Sequence, residues 1–558
     1  MRLQRRPDSI ARLPRRPNGW LLAAGFAAAI SGLVGLTWLA LALLHHTGLP
    51  HSTASDHAQF GSSAPPTSHA SPPVRVCGNH ALLGRGPSSP PRGAVTVPAG
   101  DNSGVDWRRS DTTYWFAPGT HTLGIGQFNQ IIPANGDTFI GAPGAILDGQ
   151  GRNHYAFTQG ASNVTIKYLT IQDFGIGSSA TTPSGDNGGQ GVVNHDAGRG
   201  WVMKYLTVQY NAGAGVFVGT DGTLSYSCLR DNGEYGFQGQ GSDTGRFSGT
   251  NLTIDHNEVT GNNTWNWESK DGGCGCSGAD KFWNVANVKL TDNYIHNNHG
   301  PGIWADTDNA NFDVEGNYVS DNDGEAVIYE TSYNLRLAHN TFVRNALVTG
   351  PNLGGFPDPA VYISESGGDS RVPHSYGAAI DIFDNRFIDN WGGVVLWENA
   401  NRYCGTGANT STGYCTLVDP SVATVKNCSN PELIGTKPYV NDCRWETKNV
   451  VVRGNYFNFN PTTIGPKCTL ANYCGFNGLF SEWGSWPPYK ATVVENHITF
   501  HQNNRFVSNH YVGPWRFMGH EQGNVVGWAA WRENPYNQDA DSILRTSSRR
   551  LSFKYGVH

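Results

Sequence analysis

The stretch GPGIWADTDNANFDVEGNYVSDNDGEAVIYETSYNLRLAHN, residues 300–340, contains the same pattern twice. IWAD at 303–306 aligns with VIYE at 327–330, 24 residues later, and EGN at 315–317 aligns with AHN at 338–340, 23 residues later. Within each copy apolar and polar residues alternate, as in β-strands, and no helical period is present. A repeat of this length with this alternation predicts that each copy is one coil of a parallel β-solenoid.

The repeat continues on both sides of this stretch. Segments of the form apolar-x-apolar-x-x-Asn-x-apolar recur from LTIDHNEV to VVVRGNYF. Three short strands joined by turns account for one coil, with alternate side chains facing an apolar core. An asparagine at one turn of each coil can bond to the backbone of the next coil, so we predict an asparagine ladder. Its members are Asn257, Asn293, Asn317, Asn340, Asn385 and Asn455.

Composition divides the chain into five parts. Residues 1–19 are rich in arginine, and residues 20–44 carry no charge and are long enough to cross a bilayer. We predict a transmembrane signal anchor, with the arginines cytoplasmic and the later residues extracellular; a cleaved signal peptide and secretion are the alternative. Residues 45–100, rich in Pro, Ser and Gly, predict a flexible linker. We assign 101–515 to the solenoid and 516–558 to a cap or tail.

The charge balance narrows the possible partners. Net charge is −6 and charged residues make up 15% of the chain, so the composition offers no basic surface for nucleic acid. The abundance of glycine, 70 residues in 558, favours a fold with many tight turns. The partners expected are therefore a polysaccharide or cell-envelope glycan and, through the N-terminal helix, a membrane.

Ten cysteines in a chain expected to be exported predict disulfides. Six of them lie between 404 and 474, which predicts a disulfide-rich insertion at about 400–475. Cys274 and Cys276 could instead bind a metal, but no second Cys or His pair stands at zinc spacing, so pairing within an irregular insertion is favoured. We predict no cofactor, with a calcium ion left open.

Four short motifs carry a resemblance to a known group. The segment from Trp267 to Asn309 contains KFW, then GPG-apolar-Trp, then D-x-D-N, and is followed by YETSYN at 329–334. Over about 130–510 the chain resembles bacterial right-handed parallel β-helix repeat proteins of the pectate-lyase-like superfamily, and the motifs resemble membrane-anchored actinobacterial members. The superfamily includes lyases, hydrolases, epimerases and tailspike glycosidases, so the resemblance implies an all-β right-handed parallel β-helix and a carbohydrate substrate without selecting the reaction.

Stacking the coils places acidic residues together. When the last residues of the strands that follow the asparagine turns are aligned, Asp306, Glu330 and Glu398 share one column, His195 takes that place in an earlier coil, and Lys281 flanks it. Neighbouring strands lie about 4.8 Å apart, so Asp306 and Glu330 should be neighbours on an exposed face. Like charges this close invite a proton, a cation or a basic partner. Carboxyl groups in different protonation states can cleave a glycosidic bond.

Residues around this pair complete the predicted site. The catalytic candidates are Asp306, Glu330, Lys281 and Glu268. The substrate-binding candidates are Trp267, Trp283, Trp304, Asp308, Asn309, Tyr333, Glu398 and His195. Structural roles are the alternative, because Asp308 and Asn309 could close a turn, His195 could belong to another turn, and the tryptophans could be covered by an insertion.

Three functions follow from this pattern. A glycoside hydrolase acting on a polysaccharide is favoured, and a polysaccharide lyase with Lys281 as base is the first alternative. A non-catalytic glycan-binding or scaffold module is the second. An open groove beside Asp306 and Glu330 would favour an enzyme, and a groove filled by insertions would favour binding.

Overall fold

Short alternating segments wind around one apolar core in a computed structural model of the protein. It describes residues 71–546 except 127, 159, 176–190, 242–246, 267–276, 373–375, 401, 403–423, 429, 431, 444–445 and 483–491. The predicted signal anchor at 20–44 lies outside the described residues, as do Trp267 and Glu268. In the described part of the chain, no helix has the length and apolar character needed to cross a bilayer.

From β7 to β36 each coil contributes one strand to each of three sheets, whereas β1–β6 belong to two of the sheets only. The all-β parallel β-helix prediction is confirmed. Sheet A contains β1 Val95–Val97, β3 Thr113–Phe116, β5 Thr138–Gly141, β7 Thr165–Lys167, β10 Val202–Lys204, β13 Thr223–Ser225, β16 Gly249–Asp255, β19 Val285–Thr291, β22 Ala310–Glu315, β25 Tyr333–Ala338, β28 Ile380–Phe383, β31 Val450–Arg453 and β34 Arg505–Val507.

Sheet B contains β2 Gly100–Asp101, β4 Gly119–Thr122, β6 Ala145–Asp148, β8 Thr170–Gln172, β11 Thr207–Gln209, β14 Cys228–Arg230, β17 Glu258–Thr260, β20 Tyr294–His296, β23 Tyr318–Ser320, β26 Thr341–Val343, β29 Arg386–Ile388, β32 Tyr456–Asn458, β35 His510–Val512 and β38 Ile543–Arg545.

Sheet C contains β9 Gly191–Val193, β12 Ala214–Phe217, β15 Phe237–Gln240, β18 Asp280–Trp283, β21 Ile303–Asp306, β24 Val327–Glu330, β27 Val361–Ser364, β30 Val394–Asn399, β33 Phe476–Glu482, β36 Arg516–Glu521 and β37 Val525–Val526. Within sheet C, β37 pairs antiparallel with β36. The short helices are Gly350–Asn352, Val425–Cys428, Tyr439–Asp442, Pro461–Ile464, Leu470–Asn472, Val493–Asn496, His497–His501 and Trp528–Arg532.

Asparagines buried at the turns form hydrogen bonds between successive coils. The predicted ladder is present: for example, the Asn293 amide donates to the Asn317 side-chain oxygen at 3.0 Å, and Asn317 donates to Asn340 at 3.0 Å. A second ladder, which the sequence reasoning missed, runs through Asn211, Asn232, Asn262, Asn298, Asn322, Asn345 and Asn390. Each ladder satisfies buried backbone N–H groups that the turns leave without a strand partner.

The N-terminal part of the described chain is fastened to the solenoid. Cys77 is disulfide-bonded to Cys228 of β14. The buried Glu258 carboxylate accepts from the Cys77 backbone N–H at 2.7 Å and pairs with Arg75 at 2.8 Å. Within the predicted linker 45–100, this part is therefore joined to the solenoid by one covalent bond and one buried carboxylate.

The C-terminal residues close the end of the core. β36 extends sheet C, β38 extends sheet B, and the helix Trp528–Arg532 lies between them in sequence. Trp531 is fully buried and stacks on Phe517 with ring centroids 5.0 Å apart. The Asp539 carboxylate accepts from the Trp531 indole at 2.9 Å. This packing keeps the last apolar layer from water.

Candidate functional site

The outer face of sheet C presents a row of side chains at the carboxyl end of its strands. We call this row the edge column. Its members, in chain order, are Gln240, Trp283, Asp306, Glu330, Ser364, Trp397, Phe480 and His520. The alternation of the strands turns the residues between them, such as Ala305 and Tyr329, into the core.

Asp306 and Glu330 are direct partners in the pairing of β21 with β24, as the repeat predicts. Their side chains are less accessible than expected: 5% of the Asp306 side chain and 13% of the Glu330 side chain are exposed. Trp283, the partner of Asp306 on β18, is partly exposed, and Gln240 on β15 is exposed. Gln240 and Trp283 are therefore accessible on this side of the edge column, and Asp306 and Glu330 lie mostly buried beside them.

Lys281 is the basic residue that pairs with Asp306. Its Nζ lies 2.9 Å from Asp306 Oδ2 and 3.2 Å from the centroid of the Trp304 ring. The Thr307 hydroxyl donates to Asp306 Oδ1 at 2.8 Å. Both oxygens of Asp306 thus have partners, and the ammonium group is held by a carboxylate on one side and an aromatic face on the other.

Glu330 has a different cation, Arg402, which the sequence reasoning did not find. Arg402 Nη1 lies 2.5 Å from Glu330 Oε1 and 2.9 Å from Glu365 Oε2. Burial raises the pKa of the Glu365 carboxyl. Burial would lower the pKa of Arg402, but the charges of Glu330 and Glu365 hold it above its usual range. One guanidinium therefore fixes two acids that come from consecutive coils.

The expected place of Glu398 is wrong. Trp397, not Glu398, pairs with Ser364 and so belongs to the edge column. The carboxylate of Glu398 is buried, where it accepts from the Thr447 backbone N–H at 2.7 Å and from Gln502. The misplacement arises because β30 continues to Asn399, so that aligning strand ends shifts the register by one residue.

His195 lies far from the acidic pair. It follows β9, which lies four strands from β21 in sheet C, about 19 Å along the solenoid at 4.8 Å per strand. Its ring stacks on Tyr155 with centroids 3.7 Å apart. His195 therefore cannot contact a group held by Asp306.

Three further binding candidates are used in packing. Asn309 is fully buried, and its amide donates to the Asp306 carbonyl at 2.6 Å and to Ser332 Oγ at 3.1 Å. Asp308 is 6% exposed and has a positive φ of 58°, as a turn residue does. Tyr333 is buried with Ala286, Ala310 and Val372. These positions fit the structural alternative for the D-x-D-N motif and leave no flat face of Tyr333 for a sugar ring.

The aromatic residues beyond Glu330 are covered. Trp397 and Phe480 of the edge column are buried in one outer cluster with Trp304, Ile328 and Tyr362. Trp304 and Trp397 are buried, whereas Trp283 stays partly exposed. Gln240 and Trp283 at one end of the edge column are thus exposed or partly exposed, whereas Ser364, Trp397 and Phe480 are buried.

Metal-ligand groups in the described part of the chain lie elsewhere. Asp255, His256 and Asp292 have ligand atoms within 4.8 Å of one another. They follow sheet A rather than sheet C, and His256 Nε2 is 4.0 Å from Asp292 Oδ2. The prediction of no cofactor, with a calcium ion left open, had no assigned place; Lys281 and Arg402 pair with Asp306 and Glu330.

Several solved structures have a distant similarity to this chain. The mannuronan C-5 epimerase AlgE6 A-module of Azotobacter vinelandii is 11% identical, with a TM-score of 0.39, over 81% of this chain and 88% of that chain. The catalytic unit of a GH87 α-1,3-glucanase from Streptomyces thermodiastaticus strain HF3-3 is 14% identical, with a TM-score of 0.45, over 79% of this chain and 70% of that chain.

The periplasmic alginate epimerase AlgG is 12% identical, with a TM-score of 0.31, over 63% of this chain and 72% of that chain. Similarity at this level carries no argument about the reaction. A search of curated proteins gives no match. Residues 190–372 match the family described as right handed beta helix region. Those residues therefore form a right-handed β-helix region, and the resemblance to right-handed parallel β-helix repeat proteins is confirmed.

Proposed function

We propose that the protein is carbohydrate-active and hydrolyses a glycosidic bond in a polysaccharide at the open part of the edge column. The observation that carries the proposal is the direct pairing of Asp306 with Glu330 beside the partly exposed Trp283. Successive strands present one side chain about every 4.8 Å, so an extended polymer laid along the solenoid meets a new side chain at each coil. Trp283 offers a ring face and Gln240 an amide to a sugar.

The two ion pairs give the acids different tasks. Lys281 and Asp306 together hold one transferable proton, which passes to the leaving glycosidic oxygen as the bond to the anomeric carbon breaks. Glu330, oriented by Arg402, forms a bond to that carbon as the leaving oxygen departs, because acids on adjacent strands about 4.8 Å apart leave no room for a water between them. Water then displaces Glu330 from the carbon and gives its proton to the Lys281–Asp306 pair, so the site is restored after each cycle.

A second candidate, non-catalytic glycan binding, has its own observation. Both carboxylates are held by cations, at 2.9 Å and 2.5 Å, and little of Asp306 is exposed. A binding site needs only such fixed charges and the ring of Trp283. The three functions separate in one assay on a glycan panel: hydrolysis releases reducing ends, a lyase also produces absorbance at 235 nm, and a binder produces neither.

Substitution tests the roles directly. Asp306→Asn and Glu330→Gln keep the shape of each side chain, and each is expected to reduce turnover by about 100-fold or more, the usual contribution of a positioned acid or base. Asp381→Asn is the matched control, because Asp381 is also ion-paired, with Arg453 at 2.8 Å, but on sheet A. Unchanged turnover in both site variants, with folding intact, removes these residues from the mechanism.

We also propose that residues 20–44 tether the β-helix to the cell membrane, with the basic residues 1–19 in the cytoplasm. The uncharged stretch and its arginine-rich flank support this. The test is membrane fractionation of the full chain and of a chain that begins at residue 45. Tethering predicts that the full chain stays with the membrane after a high-salt wash and that the shortened chain does not.

A further inference from the structure

Two acids share one nitrogen of Arg402. Its Nη1 lies 2.5 Å from Glu330 Oε1 and donates to Glu365 Oε2 at 2.9 Å. A guanidinium Nη carries two N–H groups, so it can give one to each carboxylate. The Arg402 side chain is 7% exposed and the Glu365 side chain is fully buried. Water therefore does little to compensate the charge of the guanidinium, and the two acids do so instead.

The carboxylate of Glu365 is fixed by three donors. Its Oε1 accepts from the Asn399 backbone N–H, and its Oε2 accepts from the Ser364 hydroxyl as well as from Arg402. Burial is the main cause of the raised pKa of Glu365, and the charge of Glu330 adds to it. Loss of the charge on Glu330 therefore favours the ionised form of Glu365.

The proposed reaction removes that charge. As Glu330 bonds to the anomeric carbon, the bond from this carbon to the leaving oxygen breaks, and the Lys281–Asp306 pair gives the leaving oxygen a proton. Glu330 changes from a carboxylate to an uncharged ester, and the negative charge passes to the Lys281–Asp306 pair. A buried guanidinium that loses its acid in this way is strongly destabilised unless a second acid stays in contact with it.

We propose that Glu365 is a positioning residue that keeps Arg402 paired while Glu330 is bonded to the sugar. This use of Glu365 rests on the proposed function. Arg402 holds Glu330 Oε1, so the bond to the sugar forms at Oε2. Because Glu365 keeps its half of Nη1, Arg402 stays in place through the cycle and receives the Glu330 carboxylate again when water displaces it from the carbon.

Stability measurements test the sharing of Arg402 without a substrate. Glu330→Gln imitates the uncharged state of the bonded acid. Glu330→Gln and Glu365→Gln each leave Arg402 one of its two acids, whereas the double variant leaves it neither. We expect the unfolding equilibrium constant of the double variant to exceed the product of the two single effects by about 100-fold, because the guanidinium is then buried without these anions. Chemical denaturation of the four proteins measures this.

A second shared arginine is the matched control. Arg336 Nη1 lies 2.7 Å from Asp313 and 2.6 Å from Glu315, but 27% of the Arg336 side chain is exposed. Asp313→Asn and Glu315→Gln should therefore combine with little interaction, because water replaces the lost acids. Adding Arg402→Met to Glu330→Gln with Glu365→Gln should restore most of the lost stability, because it removes the buried charge.

Single-turnover kinetics test the use of Glu365 in the reaction. The probes are aryl glycosides of the sugars in the glycan that the wild-type protein cleaves. Glu365→Gln should slow release of the aryl alcohol at saturation by about tenfold or more. The substrate concentration at half-saturation should stay unchanged, because Glu330 and Arg402 are still paired before the reaction. A purely structural role of Glu365 would not produce this separation.

Each outcome supports or overturns the proposal. Single effects that simply multiply in the double variant overturn it, as does an unchanged rate in Glu365→Gln when the wild-type protein is active. If the double variant does not fold, recovery of folding with Arg402→Met supports the proposal, and failure to recover overturns it. A protein that is inactive on every glycan but shows the interaction of the two acids sinks the proposed hydrolysis and leaves the pairing of Arg402 by Glu365 standing.

Discussion

Lys281 shows how one side chain depends on the coil that follows it. Its ammonium group lies between the carboxylate of Asp306 and the ring of Trp304, and only 10% of the side chain is exposed. We expect Lys281→Met to lower the free energy of unfolding by about 3 kcal/mol, because it leaves the Asp306 carboxylate buried without its cation. Chemical denaturation measures the change.

A double variant separates the charge from the packing. Lys281→Met combined with Asp306→Asn removes both charges, so most of the lost stability should return. Lys289→Met is the control, since Lys289 is exposed on sheet A. A double variant as unstable as the sum of the single ones contradicts the buried ion pair as the cause.

At the scale of the element, ion pairs of one aspartate with two basic residues connect the segment after β27 to the next coil. Asp369, which follows β27, lies 2.7 Å from Arg371 and 3.0 Å from Lys448, just before β31. Burial would raise the pKa of Asp369, but Arg371 and Lys448 together lower it to about 2.

A carboxylate whose pKa is lowered in the folded state stabilises the fold when the pH is above the ordinary pKa of an aspartate. This stabilisation is lost as the pH falls through the pKa of the folded state. The Asp369 carboxylate should therefore contribute about 2 kcal/mol at pH 6 and progressively less between pH 4 and pH 2. The difference in unfolding free energy between the wild type and Asp369→Asn, measured from pH 6 to pH 2.5, should shrink accordingly. If the difference in unfolding free energy stays constant across this pH range, the Asp369→Asn variant is destabilised by altered packing and not by the loss of the carboxylate charge.

Across the whole molecule, the disulfide between Cys77 and Cys228 closes a loop of 151 residues. Such a closure restricts the unfolded chain, so replacing both cysteines with serine should cost up to about 5 kcal/mol, as the loop entropy predicts. The disulfide between Cys468 and Cys474 spans 6 residues and serves as the matched control, with an expected loss of about 2 kcal/mol.

Thermal unfolding of the two double-serine variants compares these losses. Limited proteolysis adds a second readout, because Cys77→Ser with Cys228→Ser should expose residues 71–83 to cleavage while the coils stay intact. Equal losses of stability in the two variants would contradict the view that the Cys77–Cys228 disulfide stabilises the protein by restricting the unfolded chain.

Much of the fold follows from the period alone. Asn317 and Asn340 reveal the first ladder, and the second was within reach, since Asn322 and Asn345 follow these residues by five positions each. The pairing of Asp306 with Glu330 could be predicted for the same reason: their coils contain no insertion, so equal spacing in sequence becomes adjacency in space.

The sequence by itself determined the coils, the core and the adjacency of Asp306 and Glu330. The reason is that alternating apolar residues and a constant repeat length make each coil pack on its neighbour in the same way. Only the tertiary structure decided which side chains from other parts of the chain contact Asp306 and Glu330. Arg402 and Phe356 belong to insertions that have no period, so their places depend on the buried charges and aromatic rings that they contact across several coils.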